Sequence, residues 1–459
     1  MDISALQNLS QQSLVLPVLI QLAAIVLVAP LMAMLARMLN QPAAVGWIAA
    51  GIFMGPSFLG QYFPLISQWI FALDQLGYAP AESALILPHI FFILAEIGLI
   101  LLLFITGIEH NFSHLKSNGR SAAMISIAGI VAPFLLGVTV AYGMHDYIAP
   151  NVSMLGFCLF VGTCLSITAL PILGKLTMEL GISRTKLAAV TISAGATGDA
   201  VGWIMLAVVA AIVKAQLDWS AMIVMIGAAC LFLAVMLTIA RPILTQIIST
   251  HLQNNQGKLS RDALAYLLVF VILCGIVTHV IGIFALFGAF LAGAILSKIE
   301  GLREAVKEKL QDVVDILFLP IFFTYTGLHT DINAFNSPIL WALFGLLLLA
   351  AIVGKLGGCY LAARYTGFSN REALCIGSMM NCRALMELIA VNVGAKLGVI
   401  PDSMYTMLVF MALCTTVMTT PLLYRFKDGT ELEEPMNKSG FFKNSSTKQT
   451  SETTSSQEV

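Results

Sequence analysis

Residues 191–212, TISAGATGDAVGWIMLAVVAAI, form an apolar run with a single ionisable side chain, that of Asp199. At 1.5 Å of rise per residue, a helix of about 20 residues crosses a hydrocarbon layer of ~30 Å. This stretch is therefore long enough to span a membrane. A carboxylate inside such a span is costly unless it is paired, solvated or protonated, so the role of Asp199 needs an explanation.

Similar apolar runs recur along most of the 459 residues, of which 58% are hydrophobic and 11% are charged. A typical soluble domain has roughly 25% charged residues. We therefore predict an all-α polytopic membrane protein with about 13 transmembrane helices. The predicted spans are 14–38, 43–60, 87–109, 121–144, 152–174, 185–213, 219–246, 263–281, 283–297, 310–328, 337–362, 370–395 and 403–424.

The distribution of Lys and Arg predicts the orientation of the chain in the membrane. With the N-terminus outside, the external side carries only Lys214 and Lys396, whereas twenty Lys and Arg residues fall on the internal side. Because internal loops are enriched in these residues, we expect an external N-terminus and a cytoplasmic C-terminus, in a bacterial inner (plasma) membrane. The polar sequence after Tyr424 is predicted to be a disordered tail.

An odd number of spans allows two inverted six-helix repeats joined by the seventh span. The fifth span contains SITALPIL, with Pro171 at mid-span, and the twelfth contains MMNCRALMELIAVNVG, with Asn381, Arg383 and Glu387. Interrupted spans at matching positions of two repeats are typical of the midplane site of a transporter. Unwound backbone at that depth must be buried in protein or line an aqueous cavity.

Asp199 has two possible roles. As a structural group, it would be tied to a neighbouring helix. As a functional group, it would hold either a proton or a cation, and this mutual exclusion is the minimum requirement for exchange. Ser166 and Thr168 of SITALPIL, with the carbonyls freed at the break, would supply the oxygen ligands that a hard monovalent cation such as Na+ or K+ prefers.

The other charges inside spans also have open roles. Lys355 is either a counter-charge, for carbonyl ends of broken helices or for Asp199, or a proton carrier. Arg383 and Glu387 lie four residues apart on one helical face, which favours an internal ion pair. Glu96 is expected to serve helix packing or to line the passage rather than to bind the cation.

Several classes of function are not supported by the sequence. The eight cysteines lie in apolar segments without metal-ligand spacing, and no nucleotide fingerprint or Walker loop occurs. We therefore expect a transporter rather than an enzyme, with no cofactor and no nucleic-acid partner. Ion gradients across the lipid bilayer would supply the energy.

Seven stretches resemble the second family of monovalent cation:proton antiporters, which includes bacterial sodium/proton exchangers, potassium-efflux systems and plant cation/proton exchangers. The resemblance covers about residues 14–424. In order, the stretches are QPAAVGWIAAGIFMGPSFLG, LAEIGLILLLFITGIEH, SITALPILGKLTMELGI, ALFGAFLAGAIL, LPIFFTYTGLHTDI, SNREALCIGSMMNCRALMELIAVNVG and MALCTTVMTTPLL.

This resemblance implies a homodimer in which a mobile core slides against a dimerisation scaffold, an elevator-type movement. The broken helices five and twelve would cross beside the ion site on helix six. The implied divisions are 1–110 for scaffold helices 1–3, 111–214 for core helices 4–6, 215–260 for the linking helix 7, 261–330 for scaffold helices 8–10, 331–424 for core helices 11–13 and 425–459 for a disordered cytoplasmic tail.

One position departs from the family pattern. Electrogenic members commonly have two adjacent acids and electroneutral members have Asn-Asp, whereas this chain has Gly198-Asp199. Lys355 matches the family lysine that pairs with the first acid, which is missing here. A single acid favours electroneutral exchange of Na+, with K+ and Li+ as alternatives, for H+.

Two other functions remain open from the sequence. One is a K+-selective efflux exchanger or channel-like passage that is regulated by a separate protein. The other is a membrane sensor that binds a cation without transporting it.

Overall fold

The computed structural model describes residues 11–71, 83–109, 119–214 and 219–439, which are almost entirely helical and contain no strand. The first helices are α1 (Gln11–Met38), α2 (Ala43–Met54), α3 (Pro64–Phe71), α4 (Ser83–Glu109), α5 (Gly119–Ile148), α6 (Met154–Ser166), α7 (Leu170–Glu179), α8 (Lys186–Lys214), α9 (Trp219–Val235) and α10 (Arg241–Asn254). The others are α11 (Arg261–Ile281), α12 (Ala285–Leu296), α13 (Leu302–Val313), α14 (Leu319–Leu328), α15 (Pro338–Ile352), α16 (Gly358–Tyr365), α17 (Asn370–Met380), α18 (Leu385–Lys396), α19 (Asp402–Phe426) and α20 (Glu433–Lys438).

The all-α polytopic architecture that the sequence predicts is confirmed. Eleven helical segments among the described residues are long and apolar enough to cross a membrane. The pair α17–α18, bent by 41°, makes a twelfth if it counts as one span. The predicted ninth span is α12, which is only 12 residues long. The count of thirteen therefore stays a prediction.

Local sequence signals mark several helix starts. Ser369 and Glu372 form a capping box at the start of α17, and Ser260 caps α11 by accepting a hydrogen bond from the Ala263 amide. These caps satisfy backbone donors that have no partner inside the helix. Pro171 occupies the first turn of α7, where its missing N–H costs no hydrogen bond.

The helices pack most closely within two groups. The first packing group contains α1, α2, α4, α11, α12 and α14, and the second packing group contains α5, α6, α7, α8, α15, α16, α17, α18 and α19. A separate cluster of buried apolar side chains, including Leu173, Leu187 and Ile376, lies within the second packing group. Each group therefore has extensive internal packing of its own.

Glycines permit the closest helix crossings in the first packing group. At Gly51 of α2, a Cβ atom would lie 2.2 Å from the Thr324 carbonyl oxygen of α14 and 2.7 Å from the Gly327 Cα. Gly107 of α4 and Gly293 of α12 approach each other in the same way. Backbone-to-backbone contact of this kind requires residues without side chains.

We expect Gly51→Ala to destabilise the protein by about 1–3 kcal/mol, because the added methyl group overlaps backbone atoms that cannot rotate away. Thermal unfolding in detergent measures this effect. Gly345→Ala in α15 is the control, since a Cβ there meets no atom within 4 Å. Equal unfolding temperatures for the two variants would contradict the close crossing.

The prediction of a disordered tail from residue 425 is wrong for residues 425–439. Helix α19 continues to Phe426. Leu432, directly before α20, and Met436, within it, are buried against the second packing group. The Glu431 carboxylate accepts a hydrogen bond from the Leu187 amide. The two apolar residues lie four apart and so form one buried helical face within a polar sequence. Residues 440–459 lie outside the described part of the chain.

Candidate cation site at crossed broken helices

Two interrupted helices meet in the second packing group. Helix α6 ends at Ser166 and α7 begins at Leu170, while α17 ends at Met380 and α18 begins at Leu385. The two breaks touch, because the Ala169 amide donates a hydrogen bond of 3.2 Å to the Cys382 carbonyl. The crossing therefore brings two helix C-termini and two helix N-termini together.

The second break contains strained backbone. Ala384 has a φ of 83°, a conformation that is uncommon for a residue with a side chain. The neighbouring Arg383 amide donates a hydrogen bond of 3.3 Å to the Thr416 hydroxyl of α19. Strain of this kind costs on the order of 1–3 kcal/mol and persists where the surrounding structure enforces it.

Lys355 is fully buried and lies in the π-helical turn Val353–Gly357 between α15 and α16. Its ammonium donates hydrogen bonds to the Ser166 carbonyl, at the C-terminal end of α6, and to the Gly129 carbonyl of α5, at 2.7 Å. A cation at a helix C-terminus is stabilised by the helix dipole. Lys355 therefore contacts two backbone carbonyls, one of them at the end of α6, rather than forming a direct ion pair with Asp199.

Arg383 and Glu387 are fully buried and form an ion pair at 3.7 Å. The Arg383 guanidinium also donates hydrogen bonds of 3.2 Å to the carbonyls of Cys164, in α6, and Ala351, in α15. Glu387 lies in the first turn of α18, where the helix dipole favours a negative charge. Arg383 thus joins three helices at the crossing.

Asp199 lies in α8 beside the crossing and is fully buried. Neither of its carboxylate oxygens has a hydrogen-bond partner among the described residues. The electrostatic influences on it come from the Lys355 ammonium and from the backbone amide of Leu170, the first residue of α7. Asp199 therefore faces the positive end of a broken helix, with oxygens that remain available.

The two hydroxyls predicted as ligands differ in their surroundings. The Ser166 hydroxyl donates to the Thr163 carbonyl of its own helix at 2.8 Å, whereas the buried Thr168 hydroxyl has no partner within the described residues. Thr168 lies in the break itself, between α6 and α7. It is therefore the freer of the two oxygen donors.

Several other buried polar atoms near the crossing also have no partner in the described part of the chain. Sequence reasoning identified Asn381 and missed Ser126 and Trp203, because a lone hydroxyl or indole in an apolar span carries no distinguishing signal. These atoms without a hydrogen-bond partner include Ser126 Oγ, Trp203 Nε1, the side-chain oxygen and nitrogen of Asn381, Arg383 Nε and both carboxylate oxygens of Glu387.

Glu96 lies away from the crossing. Its carboxylate forms an ion pair of 2.8 Å with Lys396, which joins α4 of the first packing group to α18 of the second. The Lys396 ammonium also lies 3.4 Å from the centroid of the Phe92 ring. Nearby, the Asn392 amide donates to the Thr326 hydroxyl at 3.2 Å. Polar contacts at Glu96 and at Asn392 thus connect the two packing groups.

Comparison with known proteins identifies the family to which this arrangement belongs. Residues 23–425 match the family described as "Sodium/hydrogen exchanger, transmembrane". The chain belongs to this exchanger family. The resemblance noted from the sequence motifs is thereby confirmed, and the protein is a multi-pass membrane protein of a transporter family.

Proteins named as antiporters are similar to this chain over most of its length. The Na(+)/H(+) antiporter NhaS4 of Synechocystis is 35% identical over 89% of this chain and 96% of its own length. The K(+)/H(+) antiporter 1 of Saccharomyces cerevisiae is 28% identical, and the match covers 88% of this chain but only 46% of the yeast protein. The sodium proton antiporter MjNhaP1 of Methanocaldococcus jannaschii has the same fold, with a TM-score of 0.60 at 15% identity over 90% of this chain and 97% of that one.

Proposed function

We infer that the protein exchanges an alkali cation, with Na+ as the first candidate, for H+ by alternating access, and that Asp199 is the site shared by the two ions. The observation that carries this proposal is a fully buried carboxylate, without a hydrogen-bond partner in the described structure, beside two crossed helix breaks. The similarity of this chain to a Na(+)/H(+) antiporter and a K(+)/H(+) antiporter also supports cation/proton exchange.

One carboxylate suffices for coupling because a proton and an alkali cation compete for the same oxygens. The Thr168 hydroxyl and the backbone of the break would supply further oxygens, as hard cations prefer. When the cation leaves, a proton takes its place and removes the uncompensated buried charge. Each ion thus makes release of the other favourable.

An elevator-type movement would carry the site between the two faces of the membrane. In this proposal, the second packing group is the mobile core, and the first is the scaffold, which also forms a homodimer. Extensive packing inside each group, with polar bridges such as Glu96–Lys396 between them, supports this division. The N-terminus would lie outside and the C-terminus in the cytoplasm.

The proposed exchange is electroneutral. Gly198 supplies no second acid, and Lys355 is already bound to two backbone carbonyl groups, those of Gly129 and Ser166. Asp199 is then the only group of the Gly198–Asp199 pair that can change protonation in a cycle. One proton would therefore be exchanged for one monovalent cation.

Purified protein in proteoliposomes tests both activity and stoichiometry. Na+, K+ or Li+ added outside should enter the vesicles in exchange for protons that leave. The pH of the vesicle interior should therefore rise, and a pH-sensitive dye inside the vesicles measures this change. An imposed voltage should leave the rate unchanged, whereas one net charge per cycle would add about 2.3 kcal/mol per 100 mV. Absence of any cation-coupled proton movement contradicts the proposal, and strong voltage dependence contradicts its electroneutral form.

A second candidate is a K+-selective efflux exchanger, or a channel-like passage, that a separate protein regulates. The similarity to a K(+)/H(+) antiporter favours considering it. The same vesicles distinguish the candidates. A strong preference for K+ identifies the efflux exchanger, and cation flux without proton movement identifies the passage.

A further inference from the structure

Ser126 of α5 is a buried hydroxyl that the exchange cycle described above does not use. Its side chain is 1% exposed, and its Oγ has no hydrogen-bond partner among the described residues. Serines in helices usually bond to a carbonyl one turn earlier. Ser378 of α17 does so, since its Oγ donates to the Leu374 carbonyl at 2.8 Å. Ser126 therefore differs from an ordinary buried helical serine.

The position of Ser126 relative to the cation site follows from Gly198. A Cβ atom added to Gly198 would lie 3.8 Å from the Ser126 Oγ and 3.9 Å from the Thr168 Oγ1. Both hydroxyl oxygens thus lie within 4 Å of the position that a Cβ atom of residue 198 would occupy, and residue 198 directly precedes Asp199. These distances are ordinary van der Waals contacts, so helix packing alone does not require a glycine at position 198.

We propose that Ser126 is a ligand of the transported alkali cation, and that the absence of a side chain at Gly198 opens the space in which its hydroxyl reaches the ion. This proposal rests on the function proposed above. Oxygens from α5, the α6–α7 break and α8 would surround the cation from three sides. Alkali cations bind through several such oxygens that replace their hydration shell.

The arrangement also gives Gly198 a role in selectivity. A methyl group at this position fits without overlap but occupies the space between the two hydroxyls. The site would then hold a small cation better than a large one. Ser126 and Gly198 thus determine which alkali cation binds, while Asp199 provides the coupling to H+.

Ser126→Ala in proteoliposomes is the first test. Losing one uncharged oxygen donor to a charged ion should raise the apparent KM for the cation about tenfold, with the maximal rate changed less than about twofold. Ser378→Ala is the matched control, because its hydroxyl is satisfied within its own helix. An unchanged KM in Ser126→Ala overturns the assignment of Ser126 while leaving the function of Asp199 intact.

Cation-dependent thermal stability separates binding from a structural effect. In detergent, added Na+ or K+ should raise the Tm of the wild-type protein, since a ligand of the native state stabilises it. Ser126→Ala should lose most of this rise and keep the Tm measured without cation. A Tm lowered equally with and without cation, together with a wild-type KM, would show a structural role and overturn the proposal.

Gly198→Ala provides an independent variant. The ratio of the apparent KM for K+ to that for Li+ should increase severalfold, because the methyl group narrows the space beside Ser126 and Thr168. An unchanged ratio overturns the role of Gly198 in selectivity. If the wild-type protein moves no proton with any alkali cation, the underlying function fails, and this result is distinct from a failure of Ser126 alone.

Discussion

Asp199→Asn should reduce cation-coupled proton movement to the level of protein-free vesicles. Asn has nearly the same size and retains one oxygen, but it neither binds nor releases a proton in the working range. Exchange requires a group that alternates between proton and cation. Asp199 is a fully buried acid beside the crossing and has no hydrogen-bond partner in the described structure, whereas Glu387, the other buried acid there, is ion-paired with Arg383. The measurement is the internal pH of proteoliposomes after addition of Na+ or K+.

The stability of Asp199→Asn distinguishes a functional acid from a structural one. Removing a buried charge that makes no hydrogen bond removes its desolvation penalty, so the Tm in detergent should stay the same or rise. Asp402→Asn is the control, because Asp402 is exposed in the first turn of α19. Retained exchange with a lowered Tm would show that Asp199 ties helices together, and would contradict its role in transport.

Arg383→Met should destabilise the protein by about 3–5 kcal/mol, the usual cost of removing one partner from a buried ion pair. The substitution leaves the Glu387 carboxylate without its cation. It also removes the donors that bind the Cys164 and Ala351 carbonyls. Thermal unfolding in detergent, or the yield of monodisperse protein, measures this loss.

A second substitution separates the contribution of the ion pair from that of the carbonyl contacts. In Arg383→Met with Glu387→Gln, no unpaired charge remains, so part of the stability should return. The stability that the double variant does not recover measures the contribution of the hydrogen bonds from Arg383 to α6 and α15. A double variant no more stable than Arg383→Met alone would show that the ion pair contributes little.

Much of the fold could be predicted because it depends on local properties of the sequence. Apolar length located the spans, since each helix must cover the hydrocarbon layer with its own residues. Pro171 marked the break in the fifth span, and the charges of the twelfth marked the other. The polar tail was mispredicted, because Leu432 and Met436 form an apolar face only when α20 docks onto the second packing group.

The sequence by itself determined the membrane class, the positions of the interrupted spans and the buried charges at the site, because apolar length and residue type are properties of each segment alone. Only the tertiary structure decided that Lys355 binds the carbonyls of Gly129 and Ser166, and that Ser126 lies beside Gly198. These partners are separated by tens to hundreds of residues in the chain. Which polar groups meet therefore depends on how the helices cross, and that crossing is set by packing between segments rather than by any one of them.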